Sequence, residues 1–120
     1  MIFYDSHGKA IAYLDDNGET IYLFTGEPVA YLPGDDTIYG FNGNHFGWFK
    51  NGWVRDLDGY CVFFTENTSG SGPMNPMKQM IPMKHMKKMK HMKHTRHMKK
   101  IKHTDKLSWS EFSGLQFFEQ

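Results

Sequence analysis

The chain has 120 residues, of which 39% are hydrophobic and 16% aromatic, and its formal net charge is +1. This length allows one small domain. The single cysteine, Cys61, excludes an intrachain disulfide and a cysteine-based zinc site. No stretch approaches the roughly 20 apolar residues that cross a bilayer, and the N-terminus lacks the pattern of a signal peptide, so we expect a soluble cytoplasmic protein.

The charge is divided between two parts of the chain. Residues 1–72 carry a net charge of −7, whereas residues 73–107 carry +10. Because opposite charges attract, we expect the basic part to lie against the acidic part. An external polyanion is the competing partner.

The first 65 residues contain four copies of one β-hairpin pattern. Each copy is centred on a residue-Gly pair: His7-Gly8, Thr25-Gly26, Asn42-Gly43 and Asp58-Gly59. Asn-Gly and Asp-Gly favour a two-residue type I′ turn, in which both central residues have positive φ. Short runs rich in β-branched and aromatic residues flank each pair, so the pattern predicts an up-and-down arrangement of eight strands.

Hairpins that each present one apolar face bury it by closing around a common axis. We therefore predict an all-β domain over residues 1–65 with a pseudo-four-fold axis. The predicted inward positions are Phe3, Ile21, Ile38 and Val54 in the first strands and Ile11, Val29, Phe46 and Val62 in the second strands. Phe63 occupies a position where the other hairpins have Ala12, Ala30 and Gly47, so we expect the fourth hairpin to fill a space that the others leave.

A Gly/Ser linker, residues 66–72, leads into a low-complexity segment, residues 73–107, which we call the triplet tract. One residue in three is apolar, mostly Met, and the next is usually basic. Polyproline II has three residues per turn, so it keeps such a period in register where a helix or strand does not. The period predicts an extended, polyproline II-like backbone. A helix with a spiralling apolar seam and a disordered tract are the alternatives, since Met and Lys are good helix formers.

We expect the favourable free energy of burying the methionines to order such a tract. The prediction places one set of side chains on a shared buried edge: Met77, Met80, Met83, Met86 and Met89. It places a second set on an exposed edge: Lys78, Lys84, Lys87 and Lys90. The buried edge requires a surface of the β domain or of other subunits, which leaves self-association through the tract open.

The C-terminal segment, residues 108–120, regains aromatic residues. Ser108-Trp109-Ser110-Glu111 matches a capping box, and Phe112, Leu115 and Phe118 have helical spacing. We predict one short helix, with Gly114 as a point where it can break, that packs back on the β domain.

The whole chain resembles the bacterial four-fold beta flower family. The resemblance lies in the four Gly-anchored hairpins, the Trp48–Trp53 junction, the Asp58–Phe64 hairpin, the triplet tract and the Leu107-Ser108-Trp109-Ser110 ending. It implies a small all-β domain of pseudo-four-fold symmetry without an established activity, and it supplies no functional residues. The apolar triplet position in that family is often Val, so the methionines here are a departure that weakens any Met-specific chemistry.

Two ligand classes fit the composition of the triplet tract. Thioethers and imidazoles are soft ligands for copper(I), but a Lys beside each Met opposes a metal cation. Five histidines are further candidates for nickel or zinc, without carboxylate support: His85, His91, His94, His97 and His103. We predict no metal and no cofactor.

The basic side chains are candidates for contacts with nucleic acid or an anionic membrane. These candidates are Lys84, Lys87, Lys90, Lys93, Arg96, Lys99 and Lys102. No motif for sequence-specific nucleic-acid recognition is present, so nucleic acid is not the favoured partner.

The sequence contains no arrangement that favours catalysis. His45, Asp56 and Asp58 are the only acid-base candidates that stand out, and Asp58 is explained by its turn. Cys61 lies in an apolar strand, where an inert packed thiol is expected. We predict a non-enzymatic structural or interaction protein whose triplet tract packs on the acidic domain or on other subunits. Polyanion binding is the alternative, and soft-metal binding ranks below it.

Overall fold

In the computed structural model, which describes residues 1–120, eight short strands form a closed antiparallel barrel. The strands are β1 (Ile2–Tyr4), β2 (Ala10–Leu14), β3 (Thr20–Leu23), β4 (Pro28–Tyr31), β5 (Thr37–Tyr39), β6 (His45–Lys50), β7 (Trp53–Arg55) and β8 (Cys61–Phe64). Each strand pairs with its neighbours in the sequence, and β8 pairs with β1 to close the barrel. The predicted all-β, up-and-down arrangement is confirmed.

Four hairpins, which we call petals, make up the barrel: β1–β2, β3–β4, β5–β6 and β7–β8. Their turn glycines have the predicted positive φ, at 80° for Gly8, 94° for Gly26, 89° for Gly43 and 91° for Gly59. The predicted type I′ geometry is wrong, because the residue before each glycine does not have positive φ.

The petal turns are instead three-residue loops with a glycine bulge. In the first petal the Gly8 amide donates to the carbonyl of Asp5 at 3.0 Å, and the Asp5 side chain accepts from the amides of His7 and Lys9. These side-chain bonds stabilise the loop that replaces the two-residue turn. Positive φ at two successive residues occurs at Asn51-Gly52, between β6 and β7.

The core of the barrel contains the predicted first-strand residues, and Phe3, Ile21, Ile38 and Val54 are at most 1% exposed. In the second strands the prediction is correct for Phe46 and Val62, which are buried, but Ile11 and Val29 are only partly buried. All four second-strand residues are the bulged residues of their petals. In the first petal Phe3 pairs with Ala12 and Tyr4 with Ala10, so Ile11 is the bulged residue. Phe117 packs on Phe46 and the Ser113 hydroxyl donates to the Val62 carbonyl, so the C-terminal segment covers the bulges of the third and fourth petals.

Two phenylalanines break the four-fold symmetry inside the barrel. Phe63 is fully buried, and its ring centroid lies 6.2 Å from that of Phe3 and 5.8 Å from that of Phe117. A Cβ atom at Gly47 would lie 3.2 Å from the Phe117 ring. The small residues of the other petals therefore leave a space that Phe63 and the C-terminal Phe117 fill together.

The C-terminal segment folds differently from the predicted capping box. Trp109 forms a parallel bridge with Cys61, and the Ser110 hydroxyl donates to the carboxylate of Asp56. The only helix is a 3₁₀ helix, η1 (Leu115–Glu119), which starts after Gly114 with φ of 122°. The bridge to β8 holds residues 108–110 extended, so the helix begins later. No helix has the length and apolar character needed to cross a bilayer.

The triplet tract has neither helix nor strand from residue 73 to residue 106, so the helical alternative is wrong. The three-residue-per-turn backbone stays a prediction. Four backbone amides of the tract donate to the turn glycines at 2.8–3.0 Å: Gln79 to Gly8, Lys88 to Gly26, His97 to Gly43 and Lys106 to Gly59. Nine residues, or three triplets, thus separate successive contacts. The tract meets all four petals in order.

Candidate functional site

The outer face of the barrel carries a belt of aromatic pairs at the junctions between petals. Tyr13 and Tyr22 stack with ring centroids 5.9 Å apart, and Tyr4 lies 5.3 Å from Phe64. Tyr31 lies 6.4 Å from Tyr39. All of these rings are buried. They alternate along the strands with the core residues and so face away from the barrel interior, where the triplet tract covers them.

The basic side chains of the tract lie over these rings. The cation-to-centroid distances are 5.7 Å for Lys78–Tyr4, 4.2 Å for Lys84–Tyr13, 5.6 Å for Lys87–Tyr22, 4.4 Å for Lys93–Tyr31, 5.6 Å for Arg96–Tyr39 and 5.4 Å for Lys106–Tyr60. Each such contact stabilises by about 0.5–1 kcal/mol at an exposed site. The aliphatic stems of the lysines also cover apolar surface.

Carboxylates of the barrel also pair with lysines of the tract. The pairs are Lys87–Asp15, Lys93–Glu19, Lys88–Glu27 at 3.6 Å and Lys99–Asp35 at 3.8 Å. The hydrogen bond from Lys87 lowers the pKa of Asp15, and the bond from Lys93 lowers the pKa of Glu19. Negative charge of the barrel is therefore neutralised locally by the tract.

In the fourth petal the cation of the contact between barrel and tract belongs to the barrel instead of the tract. Arg55 stands where the first three petals have Tyr4, Tyr22 and Tyr39, and Asp105 stands where the tract has Lys78, Lys87 and Arg96. The Arg55 Nε lies 3.4 Å from Asp105 Oδ1, and its side chain is 6% exposed. The guanidinium also donates to the carbonyls of Gly59 and Lys106 at 2.8 Å and to that of Ser71. Arg55 thus joins the linker and the end of the tract to the barrel.

The prediction of a buried methionine edge is wrong. The exposed fractions are 89% for Met77, 93% for Met80, 83% for Met83, 91% for Met86 and 90% for Met89. Their neighbours Lys78, Lys84, Lys87 and Lys90 are exposed, as predicted. The ammonium groups of the first three nevertheless lie over tyrosine rings. The physical reason is that the surface beneath the tract consists of tyrosine faces and carboxylates, which attract cations more than thioethers.

The predicted polyanion contacts separate into two groups. Five are engaged with rings or carboxylates of the same chain: Lys84, Lys87, Lys93, Arg96 and Lys99. Lys90 and Lys102 have no salt bridge and no ring beneath them, and neither has Lys100.

The acid-base candidates do not form one site. His45 is buried in the third petal, where its Nε2 lies 2.9 Å from the Gly47 carbonyl and its Nδ1 accepts from the Lys100 amide at 2.9 Å. Because Nδ1 must accept, the ring is neutral, and burial lowers its pKa. Asp56, in the fourth petal, is occupied by bonds from the amides of Asp58 and Tyr60 and from Ser110.

No group of three or more His, Cys, Asp or Glu side chains is arranged to hold a metal ion. Cys61 is fully buried, and burial raises the pKa of its thiol to about 11, which confirms the predicted packed thiol.

A shallow pocket of about 350 Å³ lies at the fourth petal. Its apolar walls are Tyr60, Trp109 and Phe112, and three acidic residues line it: Asp56, Asp58 and Glu111. It forms where the tract ends and the C-terminal segment crosses β8.

Sequence reasoning missed the aromatic belt, although a signal was present. Tyr4, Tyr13, Tyr22 and Tyr31 recur every nine residues, which equals three triplets of the tract. That recurrence marked a regular row of rings. The tract advances nine residues for every two rings, since Lys78 meets Tyr4 and Lys87 meets Tyr22, so the spacing did not show which tract residues would meet the belt.

Comparison with known proteins agrees with this architecture. No curated protein and no solved structure matches the chain. A family model described as 4-fold beta flower protein matches residues 1–118, nearly the whole chain. Together with the four-petal barrel, this match assigns the protein to the 4-fold beta flower family.

Proposed function

We propose that this protein is a non-enzymatic structural protein that associates with copies of itself through the methionines of the triplet tract. The observation that supports the proposal is their exposure, 83–93% for Met77 through Met92, on a backbone bonded to the barrel at every ninth residue. Soluble proteins rarely keep large apolar surfaces exposed unless another surface covers them. Met also adapts well to irregular contacts.

The state of the basic side chains favours this reading over polyanion binding. Most cations of the tract are engaged with tyrosines or carboxylates, and the net charge of +1 gives no strong attractive field. A phosphate backbone would have to compete with those internal partners.

Three substitutions test the proposal: Met80→Gln, Met89→Gln and Met92→Gln in one variant. We expect concentration-dependent association of the wild type in sedimentation velocity and its loss in this variant. The matched control carries Leu at the same three positions and should associate like the wild type, because it keeps the apolar surface. A monomeric wild type at all concentrations would refute the proposal. Association that requires copper and fails in the Leu control would identify soft-metal binding instead.

Polyanion binding remains as a second candidate because Lys50, Lys99, Lys100 and Lys102 line one groove with Asp35 and Asp36. With about three free cations, the affinity for a single-stranded oligonucleotide should fall with salt at a log–log slope of about −2. Replacing Lys100 and Lys102 by Gln should reduce that slope to about −0.7, because only Lys90 then remains free.

The polyproline II-like backbone and a cytoplasmic location in a bacterial cell belong to the same proposal. The first rests on the triplet period of the sequence. Backbone dihedral angles of the tract measured by NMR would test the first.

A further inference from the structure

The fourth petal keeps acidic side chains that the triplet tract does not neutralise. In and between the first three petals Asp15, Glu19, Glu27 and Asp35 each pair with a lysine of the tract, whereas the exposed Asp16 has no salt bridge and Asp36 pairs with Lys50 of the barrel. At the pocket of the fourth petal, Asp58 and Glu111 are exposed and have no salt bridge. The Lys106 ammonium beside them donates to the Asp58 backbone carbonyl, at 3.1 Å. An anionic rim therefore surrounds an aromatic-walled pocket.

The second and third petals carry the complementary surface. Met89, Lys90 and Met92 form an arc in which both methionines are at least 86% exposed. Lys90 is exposed, forms no salt bridge and lies over no ring, and it acts on Glu19 only through its charge. The arc lies between the contacts of Lys88 with Gly26 and of His94 with Phe41. It is thus fixed on petals that do not form the pocket, so it cannot reach the pocket of its own chain.

We propose that the arc Met89–Met92 of one copy docks into the fourth-petal pocket of a second copy. Methionine sulfur packs favourably against aromatic rings, which the walls Tyr60, Trp109 and Phe112 supply. Lys90 then pairs with Asp58 and Glu111 at the rim. This inference rests on the proposed self-association and assigns its two surfaces.

The two surfaces lie on different petals, which determines the kind of assembly. A contact between unlike surfaces is heterologous and produces head-to-tail chains or rings, not only symmetric dimers. Each copy contributes one arc and one pocket, so the wild type forms either a reciprocal two-fold dimer or a longer head-to-tail chain or ring.

Two blocked variants test this arrangement. The pocket variant carries Asp58→Lys and Glu111→Lys, and the arc variant carries Met89→Gln and Lys90→Gln, so that the two blocked surfaces do not attract each other. All four side chains are exposed, and circular dichroism and thermal denaturation check that both variants remain folded. Sedimentation velocity should show each variant alone as a monomer. An equimolar mixture at high concentration should stop at a 1:1 complex, because the pocket of the arc variant still accepts the arc of the pocket variant.

Assembly of either variant alone to the extent of the wild type would overturn the docking inference while leaving self-association intact. A wild type that does not associate would overturn the proposed function together with it. A wild type that binds anionic vesicles and remains monomeric would refute both in favour of a lipid surface. The control variant Lys84→Gln should assemble like the wild type, because the Lys84 side chain lies over the Tyr13 ring of its own chain.

Discussion

The barrel and the triplet tract are ordered by different forces. The barrel buries aliphatic and aromatic side chains in a closed sheet, whereas the tract has no secondary structure and exposes its apolar side chains. The barrel orders the tract in two ways. Backbone amides of the tract donate hydrogen bonds to the carbonyls of the turn glycines, and cations of the tract lie over tyrosine rings. A periodic segment without a core of its own can therefore be held in place by a repeated domain that it contacts at regular intervals. The following changes test that dependence.

Removal of a core side chain should unfold both regions together. Phe117→Ala deletes a fully buried ring that packs on Phe46 and Phe63, and we expect a loss of about 3–5 kcal/mol of unfolding free energy. Phe112→Ala, at a residue that is 43% exposed, is the control and should cost much less. Urea denaturation followed by amide exchange measures both regions. Tract protection that survives unfolding of the barrel would contradict the dependence.

The Arg55–Asp105 ion pair of the fourth petal can be exchanged for the Tyr–Lys pair of the other petals. Asp105→Lys sets a cation against the buried Arg55, and we expect a loss of about 3 kcal/mol. Adding Arg55→Tyr recreates the Lys–Tyr pair of the other petals and should recover at least about 1 kcal/mol. The two single variants and the double variant are compared by denaturation. Strictly additive effects would mean that the two positions are not equivalent to those pairs.

Two glycine substitutions separate turn strain from tract docking. Both Gly26 and Gly18 have positive φ, so an Ala at either is strained by about 1–2 kcal/mol. A Cβ at Gly26 would also lie 2.0 Å from the Met86 carbonyl oxygen, whereas a Cβ at Gly18 meets nothing within 4 Å. We expect Gly26→Ala, but not Gly18→Ala, to abolish exchange protection of the Lys88 amide. Equal protection in both variants would show that the glycine is required only for the turn.

Acidification should release one point of the tract before the others. Burial lowers the pKa of His45 below its unfolded value of about 6.5, so below that pH the unfolded state binds more protons. Stability linked to His45 is therefore complete above about pH 6.5 and decreases as the pH falls. Protonation of His45 also removes the Nδ1 lone pair that accepts the hydrogen bond from the Lys100 backbone amide. The protection factor of Lys100 should fall at acidic pH while that of Lys88, bonded to the Gly26 carbonyl, changes less.

Salt should have the smallest effect and should act on the tract first. Exposed charge pairs such as Lys88–Glu27 are screened within about 8 Å at physiological ionic strength, whereas buried core contacts are not. We expect high salt to lower amide protection at Gln79, Lys88 and His97 and to leave the strands protected. Simultaneous loss in both regions would show that barrel and tract form one cooperative unit.

The sequence alone determined the barrel. Regular glycine spacing and short β-rich runs set the number of strands, their order and the closure, because these depend on local turn chemistry and on an apolar face that each petal must bury. The bulge that turned Ile11 partly outward and Ala12 inward was not predicted, since a one-residue register shift follows from pairing between strands.

The period of the triplet tract is a property of the sequence, whereas the orientation of the tract depends on the folded barrel beneath it. A three-residue period separates Met from Lys but does not specify which column faces the barrel. That choice depends on the surface opposite, and the belt of Tyr4, Tyr13, Tyr22, Tyr31 and Tyr39 becomes continuous only when distant strands close the barrel. The belt favours cations over thioethers, so the lysines cover the rings and the methionines face solvent.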